Sequence, residues 1–221
     1  MRGQRTRAED QRSRRTKGRI KDALLVLLAS RGFNELSVSE LCREAGVTRS
    51  TFYRHFANLS DVVDELIDAC FEVSSRNTRS GGPGGTLDNA RRVAAMTEPN
   101  ELRAHETLLP ACQRLANDEK YLPLLMDESL AEHVIHRIYQ AEIENSVPLY
   151  MGRGGLTRRE AELMYLRDLY GTFFLNRALR WHKDDYWYRM HILATRATLC
   201  ALDSVRGTPI VPRSAPVVTE R

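Results

Sequence analysis

Long hydrophobic runs are missing from this sequence. Although 42% of its 221 residues are apolar, no stretch approaches the ~20 consecutive apolar residues that a membrane-spanning helix needs. The first apolar run, Ala23 to Ala29, is brief, and the opening Met1-Arg2-Gly3-Gln4-Arg5 does not have the form of a secretory signal. No membrane partner is therefore expected. Cysteine is scarce and scattered: Cys42, Cys70, Cys112 and Cys200 make no CxxC pair and no Cys/His cluster. That argues against a disulfide framework and against structural zinc, and it predicts a cytoplasmic protein with reduced thiols. Strand signals are nearly absent as well, with no long alternating Val/Ile/Thr run and no Asn-Gly hairpin turn. No repeat of solenoid period appears.

Catalytic signatures are missing too. There is no GxSxG elbow, no HExxH, and no Gly-rich loop ending in GK[ST]. No catalytic residue and no cofactor is expected. His133 and His136 lie three apart on similar helix faces, but without a third ligand at matching spacing they are expected to be solvated side chains and no metal site.

What the chain does have is an uneven charge. Residues 1–19 hold seven arginines and Lys17 against only Glu9 and Asp10, a surplus of six in a chain whose net charge is +4. Beyond residue 76, nineteen basic and eighteen acidic residues nearly cancel. A basic arm ahead of a near-neutral body suggests a polyanionic partner, most often nucleic acid.

Helical periodicity runs through the rest. Ile20, Ala23, Leu24, Leu27 and Leu28 mark one face of a first helix, with Gly32 expected as its left-handed cap. Ser37-Val38-Ser39-Glu40 has the form of a capping box, and Val38, Leu41, Cys42 and Ala45 continue a second, short helix. Gly46-Val47 breaks it. Thr48 can cap a third helix carrying Phe52 and Phe56, and Asn58 a fourth with Val62, Val63, Leu66, Ile67 and Cys70 on its buried face. After a flexible break at Ser80-Gly81-Gly82-Pro83-Gly84-Gly85, further helices are expected near 86–96, 100–117, 129–147, 157–182 and 185–205, and a Pro-containing tail follows Gly207.

The second and third helices, separated by Ala45-Gly46-Val47, have the proportions of a helix-turn-helix. Phe52 and Phe56 point to the core, while Arg49, Ser50, Tyr53 and Arg54 share the opposite face. That face is polar, basic and aromatic, as a helix lying in the major groove requires.

The segment Gly32-Phe33-x-x-Leu36-Ser37-Val38-x-x-Leu41-Cys42-x-x-Ala45-Gly46-Val47-Thr48-x-x-Thr51-Phe52-Tyr53-x-His55-Phe56 resembles the TetR/AcrR family of one-component regulators, a likeness that extends from Thr16 to Leu66. The resemblance implies an all-α homodimer, in which a three-helix DNA-binding head is joined by helix four to a helical bundle for ligand binding and dimerisation. It divides the chain into a basic flexible arm (1–15), a helix-turn-helix domain (16–62), an effector-binding and dimerisation domain (63–206) and a flexible tail (207–221). It also makes Ser37 a phosphate contact and Thr48, Arg49, Ser50, Thr51, Tyr53, Arg54 and His55 the DNA-facing positions, with Arg49 and Arg54 the best candidates for base reading. Family members commonly carry a Lys at the start of helix four; here Leu59 stands there, and the basic arm, through Arg12, Arg14, Arg15 and Lys17, is the candidate replacement.

The body carries no motif of comparable strength. Two stripes are candidates for the dimer interface that the resemblance implies. One is Leu163, Leu166, Tyr170, Phe173, Phe174 and Arg177; the other is Met190, Leu193, Ala194, Ala197 and Ala201. His105, Cys112, Tyr139, Tyr165 and Trp181 have the side-chain types of a ligand pocket, but nothing in the sequence brings them together. The run Tyr170-Gly171…Trp181 is loosely similar to a C-terminal subtype found in regulators of carbon metabolism, which leaves a protein partner open in place of a small molecule. The expected function is a sequence-specific regulator of transcription, a repressor in most such proteins. It binds a palindromic operator in double-stranded DNA as a homodimer and is switched by a small-molecule effector. An activator switched by a protein partner, an all-α enzyme and a nonspecific nucleoid-type binder are the alternatives.

Overall fold

The computed structural model describes residues 2–75 and 85–207. The Gly-rich break expected at Ser80 to Gly84 and the tail beyond Gly207 lie outside the described residues. Within them the chain is helical with no strand. The head contains α1 (Arg2–Leu28), α2 (Val38–Ala45), α3 (Arg49–Tyr53) and α4 (Leu59–Ser75). The body contains α5 (Gly85–Ala95), α6 (Pro99–Ala104), α7 (Leu122–Met126), α8 (Ala131–Gly154), α9 (Arg158–Ala178) and α10 (Asp185–Val205).

Local chemistry accounts for the head's boundaries. Ser37 and Glu40 form the expected capping box at the start of α2, and Gly46 ends it in the left-handed region at φ 60°. Thr48 caps α3, and the Asn58 carboxamide accepts the Asp61 amide at 3.0 Å to start α4. Two expectations need correction. Gly32 is not a left-handed cap: its φ is −67° and it opens a 3-10 turn over Phe33–Glu35. α1 ends earlier, where the Ser30 hydroxyl and the Arg31 amide both donate to the Leu27 carbonyl. With those carbonyls satisfied, no left-handed residue is needed. The arm expected to be flexible over 1–15 is instead continuous with α1 from Arg2. Its Arg, Gln, Ala and Glu are good helix formers, and no proline interrupts it.

The body departs further from expectation. The helix expected over 100–117 stops at Ala104 and gives way to 3-10 turns. Pro110 lacks an amide donor and restricts the residue before it, so a straight helix cannot cross this point. Pro148, expected to end a helix, lies inside α8. It is on the exposed side, where water can take the carbonyl that its missing N–H leaves unbonded. α9 ends at Ala178 and not near 182; Arg180 and Trp181 then adopt positive φ values of 52° and 53°. This strained turn returns the Trp181 ring to the interior, edge-on to Phe173 at 6.0 Å.

Head and body share one hydrophobic core. Ile20, Leu24, Leu41, Phe52, Val63 and Ile67 of the head are continuous with Leu115, Leu124, Leu125, Ile135 and Ile138 of the body. A smaller cluster joins α5, α6 and α10 through Val93, Leu102, Leu108, Trp187 and Ile192. Polar ties cross the junction as well. The Phe33 amide donates to the Asp127 carboxylate at 2.7 Å; within the body, Arg177 of α9 donates to the carbonyls of Leu125 and Asp127 at 2.9 and 3.0 Å. On α4, Asp64 pairs with His133 at 2.8 Å and with Arg137 at 3.5 Å, both on α8. His133 is therefore a half-buried bridging group and not the solvated side chain the sequence suggested; His136 contacts Gln140 at 2.9 Å.

Candidate nucleic-acid interface and interior cavity

The turn between α2 and α3 depends on Gly46. Its backbone has φ 60°, and a Cβ there would lie 2.6 Å from Arg19 Nη2. Arg19 reaches this close because its guanidinium donates to the Gly46 carbonyl at 3.0 Å. The left-handed backbone is what calls for glycine here, since the end of the flexible Arg19 side chain can move aside for a Cβ. Beyond the turn, Phe52 and Phe56 are buried, with ring centroids 5.8 Å apart, and they pin α3 to the head.

With that face anchored, the other is free. Thr48, Arg49, Ser50, Tyr53 and Arg54 are exposed, and the Tyr53 side chain is 50% accessible. The hydroxyl of Thr48 lies 2.9 Å from those of both Ser50 and Thr51. Thr51 and His55 are half-buried. His55 turns toward α1, where its Nδ1 is 3.5 Å from the Ser13 hydroxyl. Burial, followed by the charges of Arg54 and Lys17, pushes its pKa down, which favours the neutral ring. Ser37 is exposed at the start of α2, but its hydroxyl is already engaged with Glu40, accepting from the amide at 3.2 Å and donating to the carboxylate at 2.8 Å. The Ser37 hydroxyl and amide and the Arg31 guanidinium hold the Glu40 carboxyl down at about 2.

Of the basic residues ahead of Ile20, Arg12, Arg14 and Arg15 are exposed along α1. Lys17 instead pairs with Glu65 of α4. Leu59, where a lysine might have stood, packs half-buried against the core.

A cavity of about 610 Å³ lies in the body between α5, the 3-10 stretch, α8, α9 and α10. Cys112 and Tyr165, two of the side chains picked out by type, line it, and Tyr139 stacks on Tyr165 at 5.8 Å. His105 is at the surface, beside the Glu101 carbonyl at 2.9 Å, and Trp181 packs in the core away from the cavity. Sequence reasoning missed Gln113, Glu142, Asp168 and His191, all of which line the cavity. A signal existed for His191 alone: His191, Thr195 and Thr198 recur at helical spacing together with Ala194 and Leu199, so a polar stripe lies where an interior face would ordinarily be apolar.

A buried network fixes the orientation of these groups. Trp187 Nε1 can only donate, and it bonds Asn176 Oδ1 at 2.8 Å. His191 Nε2 meets the same oxygen at 3.1 Å and so carries its proton there. Asn176 Nδ2 then donates to Gln113 Oε1 at 2.6 Å. Burial, aided by the charge of Lys183, lowers the His191 pKa to about 4, so the ring is neutral near pH 7.

The bacterial regulatory proteins of the TetR family match this chain over residues 20–66. An uncharacterized HTH-type transcriptional regulator of Haemophilus influenzae is 40% identical over 42 residues, 19% of this chain and 20% of that protein. The HTH-type transcriptional regulator AcrR of Shigella flexneri is 34% identical over 71 residues, 32% of this chain and 31% of that protein. Each match covers less than a third of the relative's length. Residues 20–66 thus form a helix-turn-helix domain of the TetR family of bacterial regulatory proteins.

Proposed function

We propose that this protein is a sequence-specific repressor of transcription that binds a palindromic operator as a homodimer and is released by a small-molecule effector. The observation that carries the DNA-binding role is the outward face of α3, held in place by two buried phenylalanines. Arg49 and Arg54 are placed to read guanine edges, with Thr48, Ser50, Thr51 and Tyr53 supplying hydroxyls for phosphate or base edges. His55 and Ser37 have a smaller share, because one faces α1 and the hydroxyl of the other is spent on its cap. At Ser37 the phosphate contact passes to the backbone amides that open α2. The exposed Arg12, Arg14 and Arg15 follow the DNA backbone beyond the recognition helix.

Dimerisation is assigned to α9 and α10. Leu163 and Phe174, 60% and 49% exposed, stand with Tyr170 on α9, and Leu193 is exposed on α10. These are large apolar groups on the surface of two long helices, as a helix–helix interface requires. Phe173, expected in the same stripe, is buried within the subunit. In the dimer two recognition helices must meet half-sites about 34–36 Å apart. An effector in the cavity acts on α8, whose first half grips α4 through His133 and Arg137 and whose second half lines the cavity. It shifts the population toward a head spacing that does not fit the operator.

Selection of bound sequences from random duplex DNA, followed by footprinting, tests this function. A palindromic site is expected. Equal affinity for every duplex would replace the regulator with a nonspecific binder.

A further inference from the structure

The cavity has an unusual balance of charge. Among the described residues it is lined by three carboxylates, Glu142, Glu144 and Asp168, and by no lysine or arginine. Its one histidine, His191, is held neutral near pH 7 by burial. Two of the three carboxylates are already matched. Glu144 pairs with Arg158. Asp168 pairs with Arg167 at 2.8 Å and accepts hydroxyl hydrogen bonds from Tyr150 at 2.9 Å and Thr198 at 3.2 Å.

Glu142 is different. It makes no ion pair within 4.0 Å among the described residues. Burial raises its pKa, and the Asn145 amide and the charge of Arg114 only partly offset this. A half-buried carboxyl for which burial outweighs the positive charge beside it gains from a cation. A second observation points the same way. Tyr165, only 6% exposed, lines the cavity beside Ser146, and its hydroxyl makes no hydrogen bond of acceptable geometry. That oxygen is free to accept from a ligand N–H, and its ring and that of Tyr150, 5.9 Å apart, supply π-surface to a cation. The remaining walls include Val93, Leu109, Leu149 and Leu199, which suit an apolar body.

Resting on the effector-responsive role proposed above, we infer that the cavity takes an organic cation, a protonated amine on an apolar body, with its nitrogen seated between Glu142 and the Tyr165 hydroxyl.

Calorimetric titration of the full-length, DNA-free protein tests this with three compounds that share one apolar body: phenylbutylammonium, phenylbutanol and phenylbutyrate. The cation is expected to bind about 10-fold tighter than the alcohol, and the anion more weakly than either. Glu142→Gln should bring the cation's affinity down to that of the alcohol and leave the alcohol's unchanged. Glu132→Gln, exposed on the same helix away from the cavity, should alter none of the three. If Glu142→Gln does not fold, as judged by its circular dichroism melt, Ala194→Phe serves instead: it fills the cavity and should abolish cation binding. Equal or tighter binding of the alcohol or the anion overturns the inference. So does cation binding indifferent to both variants, or no binding of the cation at all. None of these results depends on DNA: a protein without operator specificity would sink the regulator role and leave the titrations standing, and the converse holds.

Discussion

In the head, Thr48, Arg49, Ser50, Tyr53 and Arg54 stand outside an apolar interior of Phe52, Phe56, Leu41 and Ile67. In the body the same kinds of residue turn inward: Tyr165, Thr172, Thr195 and Thr198 surround a cavity together with Glu142, Asp168 and His191. The head follows the ordinary rule of apolar inside and polar outside, so the DNA contact proposed for it lies on its surface. The body breaks that rule, and the break marks where its chemistry is. A buried polar group costs free energy unless it is bonded, so interior polar side chains persist where a network such as that of Asn176 satisfies them, or where something else must.

The contrast can be broken from either side. The largest effect is expected from Phe52→Ala, which empties a fully buried aromatic site in the head. Chemical denaturation should report a loss of about 3–5 kcal/mol. Because the core is continuous from head to body, the transition should remain single; two separated transitions would show that the head unfolds alone.

Asn176→Leu removes the shared partner of Trp187, His191 and Gln113 in the body. Each buried group left unbonded costs about 1–3 kcal/mol, so the loss should rival that of Phe52→Ala although no cavity is opened. A loss under about 1 kcal/mol would mean that water replaces the amide.

The buried histidine of the body adds a pH dependence to the stability. The His191 pKa is lowered from 6.5 to about 4 by folding. Between those values the unfolded chain binds more protons, so stability rises with pH by up to roughly 1.4 kcal/mol per unit from this group and levels off above pH 6.5. His191→Gln should flatten that slope in denaturation measured from pH 4 to 7. The half-buried Glu40 has the acid-side counterpart in the head: its capping contribution is present above pH 4.5 and is lost toward pH 2.

A smaller effect is expected at Gly46. A Cβ at φ 60° beside Arg19 should cost about 1–2 kcal/mol in Gly46→Ala and displace α3. Affinity for the selected operator should therefore fall more than the melting temperature suggests. Smallest in stability is Arg49→Ala, within about 0.5 kcal/mol on an exposed surface. It should still relax preference at one base position by about 1–3 kcal/mol in competition binding. A uniform loss across sequences would instead assign Arg49 to phosphate.

These cases separate what could be read along the chain from what could not. Ser37 with Glu40, Gly46, Thr48 and Asn58 each act within a few residues, and all took the places in the head that the sequence predicted for them. Gly32 misled, because Ser30 and Arg31 had already closed α1. The helix expected to end at 147 runs on through Pro148 to Gly154. The cavity was out of reach, since Gln113, Glu142, Asp168 and His191 come from four separate segments.

The sequence by itself determined the helical class, the helix-turn-helix and its outward face, because periodicity, caps and a single left-handed glycine act over distances of a turn or two. Only the tertiary structure decided that α1 and α4 lock to the body through Phe33, Asp64 and Asp127, and that an acid-lined cavity opens between α8, α9 and α10. The chemistry of that cavity depends on which distant side chains converge on it, and convergence is a property of packing that no local spacing encodes.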